Sequence, residues 1–136
     1  MRKTIKTQSD FDLAMQKLQQ GLRDVMNPIR EGENRLRLQL AELQLVRGGV
    51  VKEMQDLKLH WQEIMLLPNI GEQKLQCQAD RIRNKLELTK IHNEITQVKI
   101  ELRKLEIRRK QECQPFHDKM GELIKKYPKG TLPQIA

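Results

Sequence analysis

The sequence predicts an all-α protein whose main element is a long antiparallel helical hairpin of the coiled-coil type. Three observations predict this fold class. Apolar residues recur at alternating spacings of three and four over much of the 136 residues, as in a coiled-coil seam. Only 3% of the residues are aromatic and 32% are charged, which suits long helices better than a compact globule. One strong Pro–Gly turn signal lies near the middle. We expect one elongated helical domain over residues 1–136.

The N-terminal part predicts a flexible basic arm followed by a shorter helix. Residues 1–8 are rich in basic groups and show no apolar period. Ser9 and Asp10 are suitable N-cap residues for a helix over residues 9–27. The Asn27-Pro28 pair then predicts either a break with a new helix or a kink in a continuous one. The sequence leaves both alternatives open.

Two longer helices are predicted over residues 28–66 and 72–113, joined by a turn at 67–71. The seam of the first contains Leu36, Leu40, Leu43, Val50, Met54, Leu57, Trp61 and Ile64. A tight turn between two such helices places them antiparallel, and contacting residues then have numbers that add to about 138. Pairing is expected to stabilise both helices, because neither would be stable alone with a leucine stripe in water. A short helix at 115–127 and a tail at 128–136 complete the prediction.

The helix over residues 72–113 has a less regular apolar pattern. One predicted seam contains Leu75, Ala79, Ile82 and Leu86, and a second contains Leu88, Ile91, Ile95, Val98, Leu102 and Leu105. Residues 86 and 88 point about 200° apart, so the pattern predicts that the apolar face changes sides. This change would lie opposite Gly48 and Gly49. Either both helices share a local defect there, or the glycines allow a close approach of the helices.

Further apolar residues recur on the side of the helices away from the seam. They are Leu38, Leu45, Leu59, Leu66, Ile100 and Ile107. A hairpin in isolation would leave these side chains in water, and exposed apolar patches usually mark contact sites. We therefore predict that these six residues bind a protein partner, either another copy of the chain or a helical protein. The expected function is that of a non-enzymatic structural or assembly protein.

Catalytic, metal and cofactor sites are not predicted. The single serine, Ser9, lies in a predicted cap, and Gly48-Gly49 lacks the Lys-Ser/Thr of a phosphate-binding loop. Cys113 and His117 are four residues apart, but Pro115 lies between them and further ligands are missing nearby. If one helix carries Cys77 and Cys113, they are too far apart for a disulfide. We expect no cofactor and no small-molecule substrate.

The basic character of the chain supports an alternative function. The formal net charge is +8, and the pI is about 9.7. An accessory protein of this charge can contact nucleic-acid phosphates without reading the base sequence. The candidate residues for this contact are Arg103, Lys104, Arg108, Arg109, Lys110, Lys125 and Lys126. Glutamates at neighbouring helical positions neutralise part of this cluster.

The sequence also predicts where the protein is found. Charges interrupt every apolar run, so no membrane span is expected. The N-terminus lacks the apolar core of a signal peptide. We expect a cytoplasmic protein, or one incorporated into an assembly made from cytoplasmic subunits. The identity of the partner, the oligomeric state and the biological process are not specified by the residues.

Overall fold

The protein consists of two long helices packed against each other. The structure is a computed structural model that describes residues 5–66 and 71–134. Helix α1 spans Gln8–Ile64 and helix α2 spans Gly71–Lys126. No strand occurs in the described residues. The predicted all-α helical hairpin is therefore confirmed. Residues 67–70 of the predicted turn and residues 1–4 of the predicted arm lie outside the described residues.

Both helices continue through an internal proline, so the shorter helices predicted over 9–27 and 115–127 are parts of α1 and α2. A proline inside a helix removes one backbone hydrogen bond and costs about 3 kcal/mol. Pro28 and Pro115 are exposed, while the nearby residues Ile29 and Cys113 are buried. The apolar pattern keeps its phase across each proline, so these neighbours pack on the same side as the rest of the helix. This packing offsets the cost of the proline. The continuous alternative at Asn27-Pro28 is thus the correct one.

Helix α1 begins with a capping box formed by Thr7 and Asp10. The Thr7 Oγ1 accepts a hydrogen bond from the Asp10 N–H at 3.3 Å, and the Asp10 carboxylate accepts from the N–H groups of Lys6 and Thr7 at 3.1 Å. Thr7 therefore replaces the predicted caps Ser9 and Asp10. The two backbone donors lower the pKa of Asp10. The charged cap is complete above the normal pKa of an aspartate and is lost as the pH falls through the lowered value.

The C-terminal tail turns back to the start of α1. Gly130 has a φ of 85°, in the left-handed region that glycine adopts without steric cost. The Thr131 N–H and hydroxyl both donate to the Pro128 carbonyl, at 3.1 and 2.6 Å. The Pro133 carbonyl then accepts a 2.8 Å hydrogen bond from the Gln8 N–H. The tail thus satisfies one of the backbone donors that a helix N-terminus leaves without an internal partner.

The chain divides into two compact units, each built from a segment of α1 and a segment of α2. Unit 1 contains Met1–Asn34 and Arg103–Ala136, and unit 2 contains Arg35–Leu102. In unit 1 the antiparallel register is visible in pairs whose residue numbers add to 137 or 138, as predicted. The Phe11 and Tyr127 rings meet edge to face with centroids 6.2 Å apart. A Cβ added at Gly21 would lie 2.6 Å from the Phe116 ring, so this glycine permits close packing.

The core of unit 2 is a cluster of three buried aliphatic residues, Val50, Ile91 and Ile95. Partly buried side chains pack around it from both helices: Leu40, Leu43, Met54 and Leu88. Ile64 and Val98 are buried as well. These are the apolar positions predicted for the seam. Their burial provides the main stabilisation of this unit, at roughly 1.5–3 kcal/mol for each fully buried side chain.

The predicted change of apolar face on α2 does not occur. Cys77 and Asn84 are each only 2% exposed, and their spacing continues the buried pattern of Leu88, Ile91 and Ile95 toward the N-terminus of α2. The residues predicted to form the first seam are instead exposed: Leu75, Ala79, Ile82 and Leu86. The seam stays on one side of α2 throughout unit 2. Near the N-terminus of α2, the Cys77 thiol and the Asn84 amide occupy seam positions of the kind that apolar residues occupy later in the helix.

Gly48 and Gly49 do not mark a close approach of the helices. A Cβ added at either position would meet no atom within 4 Å. Alanine in a helix is more stable than glycine by about 1 kcal/mol. We expect Gly48→Ala and Gly49→Ala each to raise the free energy of unfolding by about 0.5–1 kcal/mol, measured by thermal denaturation with circular dichroism. Gly21→Ala is the control, and it should give no gain because its Cβ meets Phe116. Loss of stability in Gly48→Ala would contradict this assignment.

Candidate interaction surfaces

An exposed apolar row runs along the α1 segment of unit 2. It contains three of the six predicted contact residues, Leu38, Leu45 and Leu59, with Lys52 between the last two, and a fourth, Leu66, lies in the turn directly after the helix. We call these five residues the outer row of α1. Their spacing is seven, which is close to two helical turns, so the four that lie on the helix share one side. Each leucine lies two positions, about 200°, beyond a seam residue. Leu45 is 78% exposed and Leu66 86% exposed.

A second exposed apolar row lies on the α2 segment of unit 2. It contains Leu75, Ala79, Ile82, Leu86 and Ile100, and we call it the outer row of α2. Only Ile100 was predicted to bind a partner, because the other four were predicted to lie in the seam. Ala79 and Leu86 are seven residues apart, and Leu86 and Ile100 are fourteen apart. This spacing in multiples of seven would have predicted that the three residues share one side of the helix. Ile107, the sixth predicted contact residue, is exposed in unit 1.

Polar and charged groups close the seam of unit 2 around Trp61. The Lys74 ammonium and the Arg81 guanidinium each lie 5.8 Å from the centroid of the indole ring. At this distance a cation is attracted by the negative face of the ring. The Cys77 thiol lies 3.8 Å from the Leu57 carbonyl oxygen. Because Lys74, Cys77 and Arg81 occupy the α2 side of the seam near Trp61, the leucines of the outer row of α2 lie on the surface.

No protein-family model, curated protein or solved structure matches the chain. Within the described ranges, neither helix combines the length and the apolar character of a membrane-spanning segment. The same ranges contain no group of three His, Cys, Asp or Glu side chains that could hold a metal ion. Cys113 is buried and His117 is exposed, while Cys77 and Cys113 are both free thiols.

The predicted phosphate-contacting cluster is partly engaged within the chain. Arg103 forms an ion pair with Glu106 at 3.4 Å, and Arg108 forms one with Glu112 at 3.1 Å. Arg109 binds a buried glutamate and is less accessible than its neighbours. The remaining four residues are exposed lysines: Lys104, Lys110, Lys125 and Lys126. Unit 1 carries 15 Lys and Arg against nine Asp and Glu, a net charge of +6. Contact with phosphates stays a prediction, which the three ion pairs weaken.

A buried ion pair joins the two helices in unit 1. The Arg109 Nε lies 2.7 Å from the Glu33 Oε1, and Glu33 is only 1% exposed. Neither residue was predicted to pair in this way, since Glu33 occupies a position that the apolar pattern does not distinguish. Removing one member of a buried pair leaves the other charge poorly solvated. The pair therefore favours the register in which Glu33 and Arg109 meet.

Proposed function

We propose that this chain is a non-enzymatic assembly protein that binds copies of itself, or a helical partner, through the outer rows of unit 2. The observation that carries this proposal is the outer row of α1, in which three leucines remain exposed along one side of a helix whose other side is already packed, and a fourth, Leu66, is exposed in the turn that follows. Isolated exposed leucines are common on soluble proteins, whereas an aligned series is typical of an interaction surface.

The size of the row suits a helical contact. From Leu38 to Leu59, its last residue on the helix, the row extends about 32 Å at 1.5 Å per residue. A partner helix or a second hairpin lying along this side would bury leucines at two-turn intervals, as in other helix-packing contacts. Burying two leucine side chains contributes roughly 3–6 kcal/mol, which corresponds to about two to four orders of magnitude in an association constant. The outer row of α2 adds apolar surface on the other helix.

The proposal predicts that Leu45→Asp combined with Leu59→Asp removes the outer-row contact without unfolding the chain. Both side chains are exposed in the hairpin, so helicity by circular dichroism should be unchanged. Light scattering should give a mass above 16.1 kDa for the wild-type protein and a lower mass for the variant. Gln39→Asp combined with Gln62→Asp is the control, because it adds two charges at exposed positions of α1 outside the outer row.

The control variant should keep the wild-type mass. A wild-type protein that is monomeric up to about 100 µM would contradict self-association. A variant with both leucines replaced that still associates like the wild type would show that the outer row of α1 is not the contact. For a helical partner, the same double variant should lose a partner that the wild-type protein and the control both capture.

A further inference from the structure

The two grooves that flank the seam of unit 2 carry opposite charge. On one side, which we call the basic groove, Val51, Met54 and Leu88 form an apolar floor, and Lys58, Arg81 and Lys85 provide three cations. No carboxylate lines this groove. On the other side, the acidic groove is lined by the carboxylates of Glu53, Asp56, Glu63, Glu72 and Asp80. Its one Lys or Arg is Arg83, which pairs with Asp80 at 3.2 Å.

The sequence pattern explains why the charges separate. The α1 residues of the basic groove are 51, 54, 55 and 58, and those of the central part of the acidic groove are 53, 56, 57 and 60. The two sets are displaced by two positions, or about 200°, so the grooves lie on opposite sides of the seam. They also occupy nearly the same stretch of α1. The hairpin of unit 2 therefore has one basic and one acidic face at the same position along the helix axis.

A second copy of the chain is the occupant that this arrangement fits. The lining side chains give the basic groove a formal charge of +3 and the acidic groove −4, with His60 neutral. Each copy thus carries both halves of a charge-complementary contact. A two-fold dimer through one groove would place like charges opposite each other, which is unfavourable. A heterologous contact, in which different faces meet, places opposite charges together.

We propose that unit 2 of one copy sets its acidic groove against the basic groove of the next copy, so that hairpins stack face to face in a heterologous series. Such a series closes into a ring or continues as a filament, depending on the rotation between copies. This inference rests on the self-association in the proposed function. It uses a different surface, however, because the outer rows point away from the seam and the grooves flank it. The two contacts can therefore be tested separately.

Charge reversal tests the stacking contact in the full chain. Lys58→Glu with Lys85→Glu changes the basic groove from +3 to −1. Glu53→Lys with Asp56→Lys and Glu63→Lys changes the acidic groove from −4 to +2. All five residues are exposed, so helicity should be retained. We expect each variant alone to associate at least tenfold more weakly than the wild type at low salt, measured by analytical ultracentrifugation. Mixing the two variants should restore association, because the unaltered acidic groove of the first variant then meets the unaltered basic groove of the second. The two reversed grooves, at −1 and +2, also carry opposite charge.

Two controls isolate the effect of position from that of net charge. Lys110→Glu with Lys125→Glu changes the net charge by the same amount as the lysine double variant, but at exposed residues outside both grooves and both outer rows, and it should associate like the wild type. High salt should weaken wild-type stacking, because exposed charge pairs are screened. The inference is overturned if either reversed variant associates like the wild type, if mixing restores nothing, or if the Lys110 and Lys125 control is equally weak.

The failure of this inference and that of the proposed function give different results. If the groove variants keep the wild-type mass and Leu45→Asp with Leu59→Asp becomes monomeric, stacking is wrong and the outer-row contact stands. If the groove variants lose association, regain it on mixing, and the leucine variant keeps its mass, the outer-row proposal is wrong and stacking stands. If both contacts exist, each set of variants lowers the mass. A wild-type chain that is monomeric at low salt overturns stacking and self-association through the outer rows, and only the helical partner of the proposed function is then left to test by capture.

Discussion

Replacing Ile95 by aspartate is expected to unfold unit 2. Ile95 is 5% exposed and belongs to the cluster with Val50 and Ile91 that forms the core of this unit. The aspartate carboxylate at this buried position would lose its hydration without gaining a hydrogen-bond or ionic partner. The apolar contacts of the isoleucine side chain would be lost as well. We expect the free energy of unfolding to fall by roughly 4 kcal/mol or more. Urea denaturation followed by Trp61 fluorescence measures this change within unit 2, since Trp61 is the only tryptophan.

Ile100→Asp is the matched control for this experiment. Ile100 lies five residues further along the same helix, is 45% exposed and belongs to the outer row of α2. We expect it to change the free energy of unfolding by less than about 1 kcal/mol, as exposed substitutions usually do. The seam assignment would be contradicted if Ile100→Asp destabilised unit 2 as strongly as Ile95→Asp.

Removing Arg109 is expected to have the second largest effect. Arg109→Met takes away the guanidinium 2.7 Å from the Glu33 carboxylate, which is almost completely buried. Breaking a buried pair by removal of one partner typically costs 3–5 kcal/mol. Because the Arg109 side chain is 29% exposed and water can relax around it, we expect a loss of about 3 kcal/mol. Circular dichroism during urea denaturation, with Tyr127 as a probe of unit 1, measures the loss.

Two further variants identify the cause of that loss. Adding Glu33→Met to Arg109→Met should recover most of the stability, because an apolar pair of similar volume replaces the uncompensated buried charge. Arg108→Met is the control. Its ion pair with Glu112 is exposed on both sides, and such pairs contribute little, so we expect a change of no more than about 0.5 kcal/mol. Equal losses in Arg108→Met and Arg109→Met would contradict a special role for the buried pair.

Much of the fold follows directly from apolar spacing and one turn signal. The positions of the unit 2 core, the antiparallel register and the hairpin itself were all predictable, since regular spacing of three and four residues specifies one packed side. The continuity of the helices through Pro28 and Pro115 was not predictable from local preference, which favours a break at each proline. The burial of Ile29 and Cys113 keeps the helices continuous there, and tertiary packing of this kind outweighs the local cost of a proline.

The seam of α2 shows a different limit of sequence analysis. Hydrophobicity favours Leu75, Ile82 and Leu86 for burial over the cysteine and the asparagine that are buried instead. The phase of the pattern, continued backward from Leu88 through Asn84 and Cys77, gives the correct side. The phase of the apolar pattern predicts the buried side of α2 better than hydrophobicity does. The reason is that a helix in a hairpin cannot change its packed side by 200° within two residues without losing backbone hydrogen bonds.

The contact surfaces were partly predictable for the same reason. The outer row of α1 lies two positions from a regular seam, so its four leucines were identified correctly as exposed residues. On α2 only Ile100 and Ile107 were identified, because the apparent change of face assigned the other outer residues to the seam. The charge difference between the two grooves depends on which residues of α1 and α2 face each other, which spacing along one helix does not specify.

The proposed surfaces require that a single side of α2 packs against α1 throughout unit 2, and the reactivity of Cys77 tests this packing most directly. In a Cys113→Ala background, at a concentration where the protein is monomeric, the rate of thiol modification of the native chain is compared with that of the unfolded chain. We expect Cys77 to be protected at least a hundredfold and a cysteine placed by Leu86→Cys, with Cys77→Ala, to react nearly as fast as in the unfolded chain. Rapid reaction at Cys77 together with protection at residue 86 would show that the leucines face inward and would contradict the proposed surfaces.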